Sequence, residues 1–132
     1  MAGELDMPKS ESEIQGEIMD YLKGIPNSKT IRLDGQGLLI RGRVVKKNKT
    51  YLDILFLYKS QAYFFEVKTA SEKEFILKHK ERLLEGGFSS NNVTLKRYKS
   101  QIEEVNDIRA TGNIADFVCS LNEVIQLIGT HH

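Results

Sequence analysis

The stretch Thr50–Thr69, which reads TYLDILFLYKSQAYFFEVKT, constrains the fold of this chain more than any other. Two segments rich in β-branched and aromatic residues, Tyr51–Tyr58 and Ala62–Lys68, flank the polar tripeptide Lys59-Ser60-Gln61. This pattern predicts a β-hairpin, because such side chains favour strands and a short polar break favours a turn. We therefore expect the rest of the chain to be organised around this hairpin.

Three charged residues interrupt the apolar hairpin. If the turn centres on Lys59-Ser60, Asp53 lies directly opposite Glu66, and cross-strand neighbours are roughly 5 Å apart. Glu66 and Lys68 point to the same face, because side chains alternate along a strand. Since unpaired buried charges are costly, two carboxylates and an ammonium among Leu, Phe, Tyr and Val residues indicate a functional cluster.

The cluster has the composition that metal-assisted phosphodiester cleavage requires. Asp53 and Glu66 offer hard anionic oxygens to Mg²⁺ or Mn²⁺. The metal would polarise the phosphate and lower the pKa of a bound water, while Lys68 would stabilise the charge that develops on the phosphate. An ion pair between Glu66 and Lys68 at a strand end would explain two of these residues without catalysis, so both interpretations stay open here.

Length and composition indicate one globular domain. The chain has 132 residues, 40% hydrophobic and 28% charged, with a formal net charge of +1, so a surface that binds nucleic acid must be local. We expect a cytoplasmic protein that does not enter a membrane, because no apolar run approaches the ~20 residues of a span and no signal peptide precedes the first helix. We expect residues 1–9 to be frayed, and His131-His132 are consistent with a tag remnant.

Hydrophobic periodicity predicts helices on both sides of the hairpin. We expect helices over Ser12–Lys23, Glu72–Leu84, Tyr98–Thr111 and Ser120–Gly129, and further strands over Lys29–Asp34, Leu38–Val45 and Ala115–Cys119. The order is that of a single α/β domain. Gln101 lies on the apolar stripe of its helix, so we expect its amide to be buried and hydrogen-bonded.

Two basic clusters are candidates for contacts with the DNA backbone. The first contains Arg41, Arg43, Lys46, Lys47 and Lys49, and the second contains Lys96, Arg97 and Lys99. Basic residues often do no more than solvate a strand edge. Beside a site that cuts phosphodiesters, they would contact phosphates without reading sequence.

Asp53 followed by Glu66-Val67-Lys68 resembles the D…ExK signature of the PD-(D/E)xK nuclease superfamily. Other segments are similar to the VRR-NUC (virus-type replication-repair nuclease) domains of that superfamily, namely Ser12-Glu13-Ile14-Gln15 at a helix start, Gln101, Gly112 and Phe117–Glu123. Each motif is weak, but their order and placement match the family over about residues 10–128.

The resemblance implies a restriction-endonuclease-like core, with a central mixed β-sheet flanked by helices, and a divalent-metal-dependent nuclease for branched DNA. It also implies roles for six residues by their position in the motifs. Asp53 and Glu66 would be metal ligands, the Val67 carbonyl a further ligand, and Glu13 a helical acid that reaches the metal directly or through a water. Lys68 would be the catalytic lysine, and Gln101 a helical glutamine near the site.

Stand-alone phage members of this family resemble Holliday-junction resolvases and form dimers, so the resemblance also implies a homodimer that cuts four-way junctions. The interval from Lys68 to Gln101 is longer than usual, and Tyr51-Leu52 stand where the family has Gly and Pro. The alternatives are a nonspecific or flap-type DNA nuclease and a catalytically weak DNA-binding module of the same fold.

We interpret residues 71–97 as an insertion into the family pattern. Its apolar residues are candidates for the dimer interface, with the alternative that they cover one edge of the monomer's own sheet. They are Phe75, Ile76, Leu83, Leu84 and Phe88.

Overall fold

The computed structural model of the chain describes residues 8–33, 38–40, 43–45, 52–86 and 92–131. These residues form an α/β structure, as the order of elements predicts, in which a four-stranded mixed sheet is flanked by helices, as the resemblance implies. In chain order the elements are α1 (Glu11–Lys23), β1 (Ser28–Arg32), β2 (Leu38–Ile40), β3 (Arg43–Val45), β4 (Ile54–Tyr58), β5 (Gln61–Val67), α2 (Ala70–Lys78), α3 (Lys80–Glu85), α4 (Val93–Ala110), β6 (Ile114–Val118) and α5 (Leu121–His131).

The hairpin of β4 and β5 confirms the predicted turn. Lys59 and Ser60 have φ values of 50° and 64°, and positive φ at both central residues is what a two-residue turn between twisted strands requires. The ladder ends at the pair Ile54↔Phe65. The last residues of β5 therefore extend past the start of β4.

Strand β5 lies inside the sheet, whose order is β1-β4-β5-β6. β4 pairs antiparallel with both β1 and β5, and β6 pairs parallel with β5. The carboxyl ends of β5 and β6 are consequently side by side, and the Lys68 N–H donates to the Val118 carbonyl at 2.9 Å. The end of β5 is thus enclosed by β6 on one side and by the residues before β4 on the other.

An apolar cluster covers each face of the sheet. On one face α1 and α5 pack through residues that include Ile18, Phe65 and Val124. On the other face α2, α3 and α4 pack through residues that include Ile76, Ile102 and Phe117. Because side chains alternate along β5, its apolar Phe65 faces α1 and α5, while Glu66 points towards α4.

The segment Leu38–Val45, expected as one strand, forms two. β2 and β3 pair antiparallel, with Ile40 opposite Arg43. Gly42 lies between them in the sequence, and glycine is a residue that two-residue connections favour. The interpretation as a single strand overlooked that signal.

Helix boundaries also differ from the prediction, most clearly in three of the expected helices. The helix expected over Glu72–Leu84 is interrupted at His79, whose φ of −109° and ψ of 15° depart from helical values. α4 begins at Val93 instead of Tyr98, because the Asn92 side chain accepts a hydrogen bond from the Leu95 N–H at 3.1 Å as an N-cap. α5 continues through Gly129, since one glycine near a helix end costs only about 1 kcal/mol.

None of the helices in these described ranges has both the length and the apolar character of a membrane span.

Residues 71–97 contribute to the monomer's core. Ile76 and Leu83 are buried, with 0% and 3% of their surface exposed, and Phe75 and Leu84 pack against the same cluster. Phe88 lies outside the described residues. The dimer-interface hypothesis is therefore wrong for Ile76 and Leu83, whose surface is already covered by their own chain.

Replacing Ile76 with Ala tests this assignment. We expect the free energy of unfolding to fall by about 2–5 kcal/mol, because the truncation leaves a cavity in a closed core, and by the same amount at every protein concentration. Its neighbour Leu77 is 52% exposed, so Leu77→Ala should change stability by no more than about 0.5 kcal/mol. Urea denaturation at two protein concentrations measures the stability of both variants. If the unfolding free energy lost in Ile76→Ala depends on protein concentration, Ile76 lies in a subunit interface instead.

Candidate active site

Asp53 lies immediately before β4 and reaches across to the end of β5. Its backbone N–H donates to the Phe65 carbonyl at 3.0 Å, and its Oδ2 accepts a hydrogen bond from the Val67 N–H at 2.8 Å. The recorded pairing ends at Ile54↔Phe65, and the same register places Asp53, the residue before Ile54, opposite Glu66, as the sequence predicts. The Asp53 carboxylate therefore contacts the Glu66-Val67-Lys68 segment directly.

Glu66 is buried and has partners on two elements. Its Oε2 accepts a hydrogen bond from Gln101 Nε2 at 3.1 Å and lies 3.8 Å from Lys68 Nζ. The exposed fractions of Glu66, Lys68 and Gln101 are only 2%, 3% and 4%. These contacts offset part of the cost of burying the charges. They confirm the prediction that Gln101 is buried and hydrogen-bonded.

Lys68 also lies over an aromatic ring. Its Nζ is 5.2 Å from the centroid of Tyr98, and the Tyr98 hydroxyl donates to Glu72 Oε2 at 3.2 Å. The other oxygen of Glu72 accepts from the Thr69 N–H at 3.0 Å in a capping box that begins α2. Glu72 is therefore fixed beside the residue that follows Lys68.

Glu11, the first residue of α1, completes the cluster from the opposite side. Its side chain is hydrogen-bonded to Glu72 and interacts electrostatically with Lys68 and Asp53. Burial and then the Glu72 hydrogen bond raise the pKa of Glu11 to about 7. Burial opposes a lower pKa for Glu72, but hydrogen bonds with Glu11 and Thr69 prevail and bring it to about 2. Below neutral pH the pair holds one proton, on Glu11.

Glu13, the helical acid that the resemblance assigned to the site, has a different position. It is exposed, and its Oε1 accepts hydrogen bonds from the Ser10 N–H at 3.3 Å and the Ser10 hydroxyl at 3.2 Å. This is the N-terminal capping box of α1. The structure therefore favours Glu11 over Glu13 as the helical acidic residue near Asp53.

Sequence signals existed for the three residues that the prediction missed. Glu11 precedes the buried Gln15 by four residues and so shares its helical face. Thr69 and Glu72 have the spacing of a capping box, which directs the glutamate back towards the end of β5. Tyr98 precedes Gln101 by three residues on α4.

Only one of the two basic clusters can be placed. Lys96 and Arg97 are exposed and Lys99 is partly exposed on the first turns of α4, the helix that carries Gln101. Of the other cluster, Arg41, Lys46, Lys47 and Lys49 lie outside the described residues, and only the backbone of Arg43 is described. Its contact with DNA stays a prediction.

The donor chemistry of the site suits a hard divalent cation. Asp53 and Glu66 offer carboxylate oxygens at the end of β5, and the carboxyl pair of Glu11 and Glu72 lies beside them. Gln101 Oε1 is buried and has no hydrogen-bond partner among the described residues, so a bound water or cation could satisfy it. In the part of the chain that the structure describes, no three His, Cys, Asp or Glu side chains form a metal cage. Mg²⁺ does not need one, since it commonly uses one or two carboxylates with waters and phosphate oxygens.

Comparisons with family models, with curated proteins and with solved structures found no match to this chain. The similarity to VRR-NUC domains consequently stays a prediction from the motifs. The α/β class and the mixed sheet rest on the structure itself.

The shared proton predicts a dependence of stability on pH. The pKa of Glu11, about 7, lies above its ordinary value of 4.5, so the stability from its protonated form is present below about pH 4.5 and is lost as the pH rises through 7. Between about pH 5 and 8 we expect the wild type to lose about 1–2 kcal/mol more unfolding free energy than Glu11→Gln. A pKa shift corresponds to ~1.4 kcal/mol per unit for a fully buried group. The expected difference in unfolding free energy is smaller than that, because Glu11 is partly exposed to solvent.

Glutamine is the appropriate replacement because its amide donates to Glu72 at every pH, as a protonated carboxyl does. The lowered pKa of Glu72 affects stability only below its ordinary value of 4.5, outside this pH window. Glu74→Gln, on the exposed side of α2, is the control and should follow the wild type. Urea denaturation across the window measures all three proteins, and parallel curves for wild type and Glu11→Gln would contradict the shared proton.

Proposed function

We propose that this protein is a divalent-metal-dependent DNA endonuclease that hydrolyses phosphodiester bonds in branched DNA. The observation that carries the proposal is the meeting of Asp53, Glu66 and the buried Lys68 at one end of β5. The spacing of these residues in the sequence supports the same chemistry.

A structural ion pair explains these contacts less well. Such a pair would be complete with Glu66 and Lys68, which are 3.8 Å apart. It gives no reason for Asp53 to hydrogen-bond across the end of β5, or for Glu11 and Glu72 to share a proton beside the same ammonium. Carboxyl groups gathered at one point favour a bound cation, because neighbouring like charges repel each other.

Asp53 and Glu66 would hold Mg²⁺ or Mn²⁺, with the Val67 carbonyl as a further ligand and Glu11 acting directly or through a water. When bound, the cation would polarise the scissile phosphate and lower the pKa of a water. Gln101 orients Glu66 through its amide donor. The Gln101 oxygen is the acceptor that remains for a water at the site.

Lys68 would stabilise the negative charge that develops on the phosphate. Its burial strengthens that interaction, because a charge in a water-excluded site is screened less than one in solvent. An ammonium has no lone pair to offer a metal, so Lys68 acts on the phosphate and not as a ligand.

DNA would approach across α4. Lys96 and Arg97 are exposed on the helix whose buried side carries Tyr98 and Gln101, so the helix that would contact phosphates also packs against the site. Such contacts position the duplex without reading its sequence. We propose a homodimer because symmetric cleavage of a junction needs two sites, and a C₂ pair supplies them.

The carboxylates should be essential for activity and dispensable for folding. We expect Asp53→Asn and Glu66→Gln each to lower DNA cleavage by at least about 100-fold, since each removes an anionic oxygen from the cation. Calorimetry should show weaker Mg²⁺ or Mn²⁺ binding by both variants, and circular dichroism should show an unchanged fold. Glu74→Gln removes one exposed carboxylate elsewhere and should cleave as the wild type does; wild-type cleavage that persists in EDTA would overturn the metal mechanism.

The proposed substrate class is tested with matched DNA. We expect faster cleavage of a four-way junction than of a linear duplex built from the same strands, by a protein that light scattering finds to be a dimer. Cleavage of both should weaken steeply with salt, because the contacts are made to phosphates. A monomer that degrades both substrates equally would identify a nonspecific nuclease instead.

A further inference from the structure

Among the described residues, the buried ammonium of Lys68 forms only a long ion pair, with Glu66. Its distance of 3.8 Å from Glu66 Oε2 exceeds that of a hydrogen bond, and the proposed function requires Glu66 to serve a metal as well. The structure records a second partner, the Tyr98 ring, whose centroid lies 5.2 Å from Nζ. This distance is within the range of a cation–π interaction, which becomes stronger when the cation is desolvated.

The Tyr98 ring is held firmly in its own place. Tyr98 is buried in the apolar cluster between α4 and α2, and its ring centroid is 6.1 Å from that of Phe75. Its hydroxyl donates to Glu72, which the capping box with Thr69 fixes in turn. Burial, and then the negative charge of Glu72, raise the pKa of Tyr98 to about 12, so the hydroxyl keeps its proton.

We infer that Tyr98 is the positioning residue of Lys68, because its ring face holds the ammonium at the end of β5 where the proposed reaction takes place. The inference rests on the proposed function, in which Lys68 is the catalytic lysine. Tyr98 itself acts only through Lys68.

A ring suits this task better than a second carboxylate would. An aromatic face attracts the ammonium through its quadrupole and carries no formal charge. A carboxylate at hydrogen-bonding distance would largely neutralise the lysine and would compete with the phosphate for it. Tyr98 thus orients Lys68 while leaving its positive charge available to the substrate.

Two kinds of variant separate the ring from the hydroxyl. Tyr98→Phe keeps the ring and removes the hydroxyl. Tyr98→Leu removes the ring as well, and Tyr98→Met replaces Tyr98→Leu if that variant does not fold. We expect kcat to fall about tenfold in the ringless variants with KM for DNA unchanged, and to stay within about threefold of wild type in Tyr98→Phe. Phe64→Leu removes another ring that packs against the same cluster and should leave kcat near the wild-type value.

A double-mutant cycle shows whether Tyr98 acts through Lys68. Lys68→Ala should abolish most of the activity, and adding Tyr98→Leu to it should cause no further loss, because the ammonium that the ring positions is already absent. If Tyr98→Leu slows Lys68→Ala by the same factor as it slows the wild type, the positioning role is overturned. A loss in Phe64→Leu equal to that in Tyr98→Leu would also overturn it.

Nuclear magnetic resonance tests the contact without any substrate. Protons above a ring face are shielded, so the terminal methylene protons of Lys68 should resonate upfield of those of the exposed Lys29. The shift should persist in Tyr98→Phe and disappear in Tyr98→Leu. If the wild type cleaves no DNA, the proposed function fails and this spectrum alone decides the positioning. A Lys68 resonance that Tyr98→Leu leaves unchanged would overturn it.

Discussion

The burial of the Lys68 ammonium is the constraint on which the arrangement of the site depends. A charged group that loses its water needs partners close by, and four elements supply them. The end of β5 places Glu66 beside it, α4 brings Tyr98, and the first residues of α1 and α2 bring Glu11 and Glu72. Three of the helices that cover the sheet, α1, α2 and α4, therefore also contribute residues to the surroundings of Lys68 at the end of β5.

Much of the site could be predicted because its central part follows local rules. A two-residue turn fixes the register of a hairpin, and alternation then fixes the face on which Glu66 and Lys68 lie. Helical periodicity placed Gln101 against the sheet for the same kind of reason. These inferences need only neighbours in sequence and one spacing rule for each element.

The remainder depends on how elements far apart in the sequence come together. Nothing local reveals that α1 begins beside the start of α2, so the resemblance pointed to Glu13, while the structure favours Glu11. The residues taken as an insertion look superfluous in a linear comparison, yet Ile76 and Leu83 close one face of the sheet. The Asp53 carboxylate accepts a hydrogen bond from the Val67 N–H, a contact that pairing rules do not anticipate.

The parallel pairing of β5 and β6 determines when the site can form as the chain folds. The β4–β5 hairpin joins neighbours in sequence, whereas β6 follows β5 only after three helices, and such distant pairings form slowly. The Lys68 N–H is bonded to Val118 on that late strand. A chain emerging from the ribosome could close its hairpin early, yet would have no assembled site until β6 had also been synthesised.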